Sequence, residues 1–230
     1  MTGREQLQVN TQGWNIQGNP LTIRENVQVI VSAAKYDFSA DTRLLIPFVE
    51  FGKIGFVDKT GTIVVTPKYV AYYGDCYSEN DFIIVAEFGA TVYPRSDESF
   101  RTDFRPRFGI INYKGEAMLE CLYRELYPAK GNNNLYTARN EHDHYGVLAR
   151  DGTEIVSFGK YDWIGRFDKG LARVIVARNG NKQWGIIDET GREVLPVEYD
   201  SIWNFYDKPY TSIFVFKDGI KTSIRLNELL

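Results

Sequence analysis

Apolar residues along this chain come in short runs set between turn formers, as in Phe82-Ile83-Ile84-Val85-Ala86, Val174-Ile175-Val176 and Ile213-Phe214-Val215-Phe216. Aromatic and β-branched residues of this kind suit a pleated, half-buried surface. No stretch of about a dozen residues keeps a helical apolar period with caps at both ends. The pattern predicts a chain that is nearly all β. One small exception lies at Ile224 to Leu230, where Leu226, Leu229 and Leu230 fall at i, i+3 and i+4 and predict a short helical turn.

The runs repeat. A large residue precedes a glycine, and a second glycine follows six positions later, in Ile54-Gly55 with Gly61, Phe108-Gly109 with Gly115, Tyr145-Gly146 with Gly152, and Trp184-Gly185 with Gly191. A tyrosine then stands eight residues past the second glycine as Tyr69, Tyr123 and Tyr199, and nine past it as Tyr161. The first glycines are 54, 37 and 39 residues apart, a period of about 38 with one insertion of about 16. A period of this size means stacked supersecondary units.

The last copy is the clearest. Trp184 to Asp188 predicts a strand, Glu189-Thr190-Gly191 a turn with glycine where φ is positive, and Glu193-Val194-Leu195 the returning strand. Pro196 removes a ladder donor and is expected to end that strand or hold it at an edge, and Tyr199-Asp200 to begin a bend. A third strand follows, most visible one copy earlier as Leu171 to Val176, giving three strands per unit. The first glycine sits within a strand, so its expected purpose is to leave room for a ring from an adjacent unit rather than to cradle phosphate.

Lys182-Gln183-Trp184-Gly185-Ile186-Ile187-Asp188, the turn at Gly191, Val194-Leu195-Pro196 and Tyr199-Asp200 resemble a unit of the WG repeat family of bacterial proteins. Phe167-Asp168-Lys169-Gly170-Leu171-Ala172-Arg173-Val174 is similar to the segment that follows in that family, and Gly52 to Tyr69 resembles another copy. Three copies replace the naming tryptophan with Ile54, Phe108 and Tyr145. The expected fold is all-β, with tandem antiparallel hairpin or three-stranded units in an open solenoid-like array; a closed β-propeller is the alternative. Residues 1–26 are read as an N-terminal arm or cap and 27–226 as the repeat domain. That domain holds a half unit at 27–51, units from about 52, 106, 143 and 182, and a C-terminal half unit at 213–226; 227–230 is a tail.

Composition narrows the function classes. With 27 Lys+Arg against 30 Asp+Glu, the net charge of -3 supplies no field for nucleic acid or anionic lipid. The longest apolar run near the start, Val27 to Ala34, is far shorter than the roughly 20 residues of a membrane helix. The two cysteines, Cys76 and Cys121, make neither a disulfide framework nor a zinc pattern, so the expected home is cytoplasmic, or exported if a leader once preceded residue 1.

Catalytic patterns are missing: there is no Gly-x-Ser-x-Gly elbow, no His-Glu-x-x-His, no phosphate-binding loop and no dinucleotide fingerprint. His142 and His144 read as a solvated turn ahead of a metal pair, and Cys121 as a buried, inert thiol. The recurring Asp58, Asp162, Asp188 and Asp200 read as caps on backbone amides. No cofactor, metal, nucleic acid or membrane partner is expected.

Function is sought where copies differ. The 89–105 insertion offers Tyr93, Arg95, Phe100, Arg101, Phe104 and Arg105, and the irregular Tyr72 to Tyr77 stretch adds Tyr73 and Tyr77. Tyr and Arg are favoured where binding energy concentrates, and long loops on repeat scaffolds form recognition faces. The expected function is a non-catalytic scaffold binding another protein through an extended face and this insertion. The alternative is a carbohydrate or small-ligand protein, binding or hydrolysing, that uses aromatic faces and paired carboxylates.

Overall fold

Hairpins dominate, and their turns show why. In a computed structural model of the chain, residues 28–29, 45–58, 61–73, 82–94, 100–178, 180–203 and 212–229 are described. In three of the four copies the turn is closed by the same pair of backbone bonds: Gly61, Gly115 and Gly191 N–H donate to Asp58, Asn112 and Asp188, which in turn donate to Thr62, Glu116 and Arg192. The fourth copy does the same with Gly152, Ala149 and Thr153. All four glycines have positive φ, 85°, 78°, 89° and 79°, a conformation that costs other residues about 1–2 kcal/mol.

Nineteen strands are formed among the described residues. The chain divides into two units, Met1–Leu122 and Tyr123–Leu230. The first sheet has the order β1 (Gln28–Val29), β2 (Ile46–Glu50), β3 (Lys53–Val57) and β4 (Ile63–Tyr69). The second runs β5 (Ala71–Tyr73), β6 (Phe82–Pro94), β7 (Phe100–Asn112) and β8 (Ala117–Tyr123). The third runs β9 (Glu125–Ala129), β10 (Asn132–Arg139), β11 (Tyr145–Ala149) and β12 (Glu154–Tyr161). The fourth runs β13 (Trp163–Ile164), β14 (Leu171–Arg178), β15 (Asn181–Asp188) and β16 (Glu193–Tyr199). The fifth has three strands, β17 (Ser201–Trp203), β18 (Ser212–Lys217) and β19 (Ile220–Arg225), followed by a 3-10 turn at Leu226–Glu228 where the leucine spacing predicts one.

The all-β array of antiparallel hairpins is therefore the fold. Each full sheet has four strands, since a short strand such as the two-residue β13 precedes the third strand expected from sequence. The sequence copy and the sheet are also out of phase. Hairpin β11–β12 closes the third sheet, and β13 and β14 of the same copy open the fourth. One residue makes the passage: β12 ends at Tyr161 and β13 begins at Trp163, and Val70, Arg124 and Asp200 hold the same place elsewhere. At all four the N–H donates to the strand after next, to Ala86, Arg139, Ile175 and Phe216.

The prolines do not end strands. β16 continues through Pro196, because the register jumps from Trp184↔Tyr199 to Ile186↔Leu195 and leaves residues 196–198 opposite Gly185 alone. β4 does the same, with 66–68, including Pro67, opposite Gly55. A proline is tolerated in such a bulge because no ladder bond is required of it. In the third copy residues 157–160 fill the bulge, and the added residue accounts for Tyr161 lying nine places from Gly152.

The bulge also explains the first glycine. A Cβ on Gly55 would lie 2.6 Å from the Val65 carbonyl, on Gly109 2.4 Å from that of Leu119, and on Gly185 2.9 Å from that of Leu195. Gly146 meets the ring of Phe158 instead, at 2.9 Å. At Gly55 the Phe48 ring of the preceding half unit also comes within 2.8 Å of that Cβ, as expected from sequence, while at Gly109, Gly146 and Gly185 the room is needed within the hairpin. The second glycine touches a neighbour too: a Cβ on Gly115 would be 2.5 Å from Val65 Cγ2, and on Gly191 2.8 Å from Val156 Cγ2.

Successive sheets share cores inside each unit. Leu45, Ile54, Phe56 and Val65 of the first sheet meet Ile83, Val85 and Ile111 of the second. Val147 and Val156 of the third meet Ile164, Ala172, Val174 and Ile187 of the fourth. Leu171, Ile186 and Leu195 on the other face of the fourth meet Ile202, Ile213 and Val215 of the fifth. Each fully buried aliphatic side chain contributes about 1.5–3 kcal/mol. The tyrosine at the passage adds a polar tie, the Tyr161 hydroxyl donating to Glu193 Oε1 at 2.8 Å.

Candidate binding ribbon

The insertion is not a loop. β6 and β7 pair without interruption from Phe82↔Asn112 to Pro94↔Phe100, so residues 89–94 and 100–105 extend the hairpin as a two-stranded ribbon. β5 accompanies β6 only as far as Ala71↔Ala86, so beyond that point the ribbon leaves its sheet. The pairing puts Phe88, Ala90, Val92 and Pro94 opposite Pro106, Phe104, Thr102 and Phe100. The alternate register is polar, with Glu87, Gly89, Thr91 and Tyr93 opposite Arg107, Arg105, Asp103 and Arg101.

Such alternation normally puts an apolar face on a core. Here Phe88 is 60% exposed and Phe104 68% exposed, with Pro106 exposed beside them. Lys53 Nζ lies 5.3 Å from the Phe88 ring centre, and Lys68 bridges Glu87 at 3.2 Å. Arg107 is buried, and its stem crosses Gly89 so closely that a Cβ there would be 2.4 Å from Arg107 Cγ.

Of the residues singled out by sequence, Phe104 and Arg105 stand exposed on the ribbon. Tyr93, Phe100 and Arg101 have ribbon backbone positions, and Tyr73 pairs with Ile84 in β5; their side chains lie outside the described residues. Arg95 and Tyr77 lie outside them entirely. Phe88 and Pro106 were missed, although the alternation of residues 87–94 with apolar even positions was there to be read.

The other chemical candidates are accounted for by local structure. Asn140 Oδ1 accepts from the His142 and His144 N–H groups at 3.0 Å each, and both imidazoles are exposed in that turn. The Cys121 thiol, half-buried beside the Val85 carbonyl, is pushed up to about 11 by burial, which keeps it protonated and unreactive at neutral pH. Asp58 and Asp188 accept from turn amides at Thr62 and at Thr190 and Arg192. Asp162 and Asp200 accept from the Ala177 and Asp218 N–H groups. Arg124 replaces this aspartate in the second copy and pairs with Asp143.

Arg173 lies near both Trp163 and Trp184, 6.0 and 5.4 Å from the ring centres, and donates to the Ile202 carbonyl at 3.0 Å. Trp203 is 60% exposed, with Phe216 5.8 Å away and its indole N–H donating to Ser201.

Meander sheets joined by one-residue passages, with glycine turns in register, define a β-repeat protein. The WG containing repeat matches this chain in three segments, residues 54–85, 145–177 and 184–219, so these copies are similar to WG repeats. The copy beginning near residue 106 lies outside those segments yet makes the same turn bonds at Asn112 and Gly115. No curated protein matches the chain. A solved structure described as TolB from Agrobacterium tumefaciens is similar over 95% of this chain and 77% of its own, at 8% identity and a TM-score of 0.34, a likeness too slight to carry any argument.

Proposed function

We propose that the chain is a non-catalytic repeat scaffold that binds another protein through the β6–β7 ribbon and the sheet face from which it extends. The observation that carries this reading is the exposed Phe104 on the ribbon, within an insertion that the repeat does not require, together with the exposed Phe88 and Pro106 at its base. A two-stranded ribbon is marginal in water by itself, and large exposed aromatics on such an element mark an interaction surface. The Tyr and Arg residues of the opposite register supply the polar contacts that favour binding hot spots.

The test is affinity capture from native cells with the intact chain, followed by titration of the isolated partner. Phe88→Asp with Phe104→Asp is expected to weaken binding at least a hundredfold, and Tyr93→Ala with Arg101→Ala at least tenfold. Full retention in both variants rejects the ribbon as the site.

A further inference from the structure

Among the described residues, the fifth sheet has three strands where the other four have four. β4, β8, β12 and β16 each hold the outer place beside the strand bearing the first glycine, whereas β19 ends its sheet among the described residues. The equivalence is fixed by hydrogen bonds: Asp162 donates to Ile175 and Asp200 to Phe216, so β14 corresponds to β18 and β15 to β19. By register Trp184 then corresponds to Lys221, Ile186 to Ser223 and Ile187 to Ile224.

Exposure follows that difference. Gly185, Ile186 and Ile187 are buried in β15, while Ile220, Lys221, Thr222 and Ser223 are all exposed in β19, Ile220 at 68%. An edge strand left open presents a row of N–H and C=O groups to any extended chain. The charge says which chain. Ile220–Arg225 carries Lys221 and Arg225 and no carboxylate. Both lie on the face of Ser223, where Lys221 Nζ sits 3.9 Å from the Phe214 ring centre.

We infer that the open edge of β19 takes an extended acidic segment of another protein as the fourth strand of the sheet. Carboxylates at i and i+4 of a strand are about 13 Å apart, which is the repeat separating Lys221 from Arg225. Apolar residues between them meet the Ile224 side, which already contributes to the core beneath. A second copy is a poor occupant, because an antiparallel pairing centred on Ser223 sets Lys221 against Arg225, and like charges directly opposite repel. This inference does not rest on the reading of the ribbon.

The test uses the full chain and a labelled heptapeptide, Val-Glu-Val-Thr-Val-Glu-Val, followed by fluorescence polarisation. The expected result is saturable binding that Lys221→Glu with Arg225→Glu weakens at least tenfold, that Phe88→Asp with Phe104→Asp leaves unchanged, and that slows amide exchange within 220–225. A peptide N-methylated at alternate amides requires no variant to fold and is expected not to bind. The inference is overturned by absence of binding, by equal binding of the charge-reversed variant, or by equal binding of the methylated peptide, which would show charge capture without strand pairing. It is also overturned if the β19 amides are already protected without peptide, or if light scattering shows a dimer that the charge reversal dissolves.

Discussion

The hairpin β15–β16 and the outer half of β6–β7 are made of the same secondary structure for opposite reasons. In the first, Ile186 and Ile187 are fully buried between sheets, and glycines stand where a Cβ would strike a carbonyl or a neighbouring valine. In the second, the alternation is equally regular, but Phe88 and Phe104 of its apolar register face solvent. Periodicity therefore specifies a strand without specifying what covers it. Burial distinguishes residues kept for the fold from residues available for recognition.

That contrast breaks if core and ribbon substitutions have like effects on stability. Ile187→Ala, at a fully buried position shared by two sheets, is expected to cost about 3–4 kcal/mol in urea unfolding. Gly185→Ala places a methyl 2.7 Å from Val197 Cγ2 and is expected to cost about 2 kcal/mol. Tyr161→Phe removes the bond to Glu193 and costs about 1 kcal/mol. Phe104→Asp, by contrast, is expected to change stability by no more than about 0.5 kcal/mol while removing partner binding. A ribbon variant that unfolds as readily as Ile187→Ala would show that the ribbon is covered and belongs to the core.

A pH measurement sharpens the same point at a turn. Burial pushes the Asp188 carboxyl up, but hydrogen bonds from Thr190 and Arg192 outweigh it and leave the group below its ordinary value. A depressed carboxyl stabilises the fold above its unfolded value of about 3.9 and loses that contribution as pH falls through the folded one. Between pH 5 and 2.5 the intact chain is expected to lose slightly more stability than Asp188→Asn, read from urea midpoints. Equal acid sensitivity would remove Asp188 from the account of the turn.

Much of the repeat was legible in sequence, because backbone demands leave few choices of residue. Gly191 and Gly115 announce positive φ, Tyr199-Asp200 announces the bend after the returning strand, and Asp188 announces the turn. The bulge at Pro196 was not legible, since a proline marks a missing donor whether a strand ends or bends there. Nor was the phase between copy and sheet, which depends on which strands pair across the one-residue passages. The ribbon escaped because residues 89–105 hold six charged residues, and such composition reads as loop even where alternation persists. Tyr93, Arg95 and Arg101 drew attention by residue type, whereas Phe88 looked like the end of an ordinary strand.

The single residues joining successive sheets bear on how the molecule yields to force. At Asp162 and Asp200 there is no slack: one amino acid separates the last strand of one layer from the first of the next. Tension applied along the chain must reach the neighbouring layer as soon as the first is stripped. Within Tyr123–Leu230 such linkage favours unravelling of layers together over their release one by one.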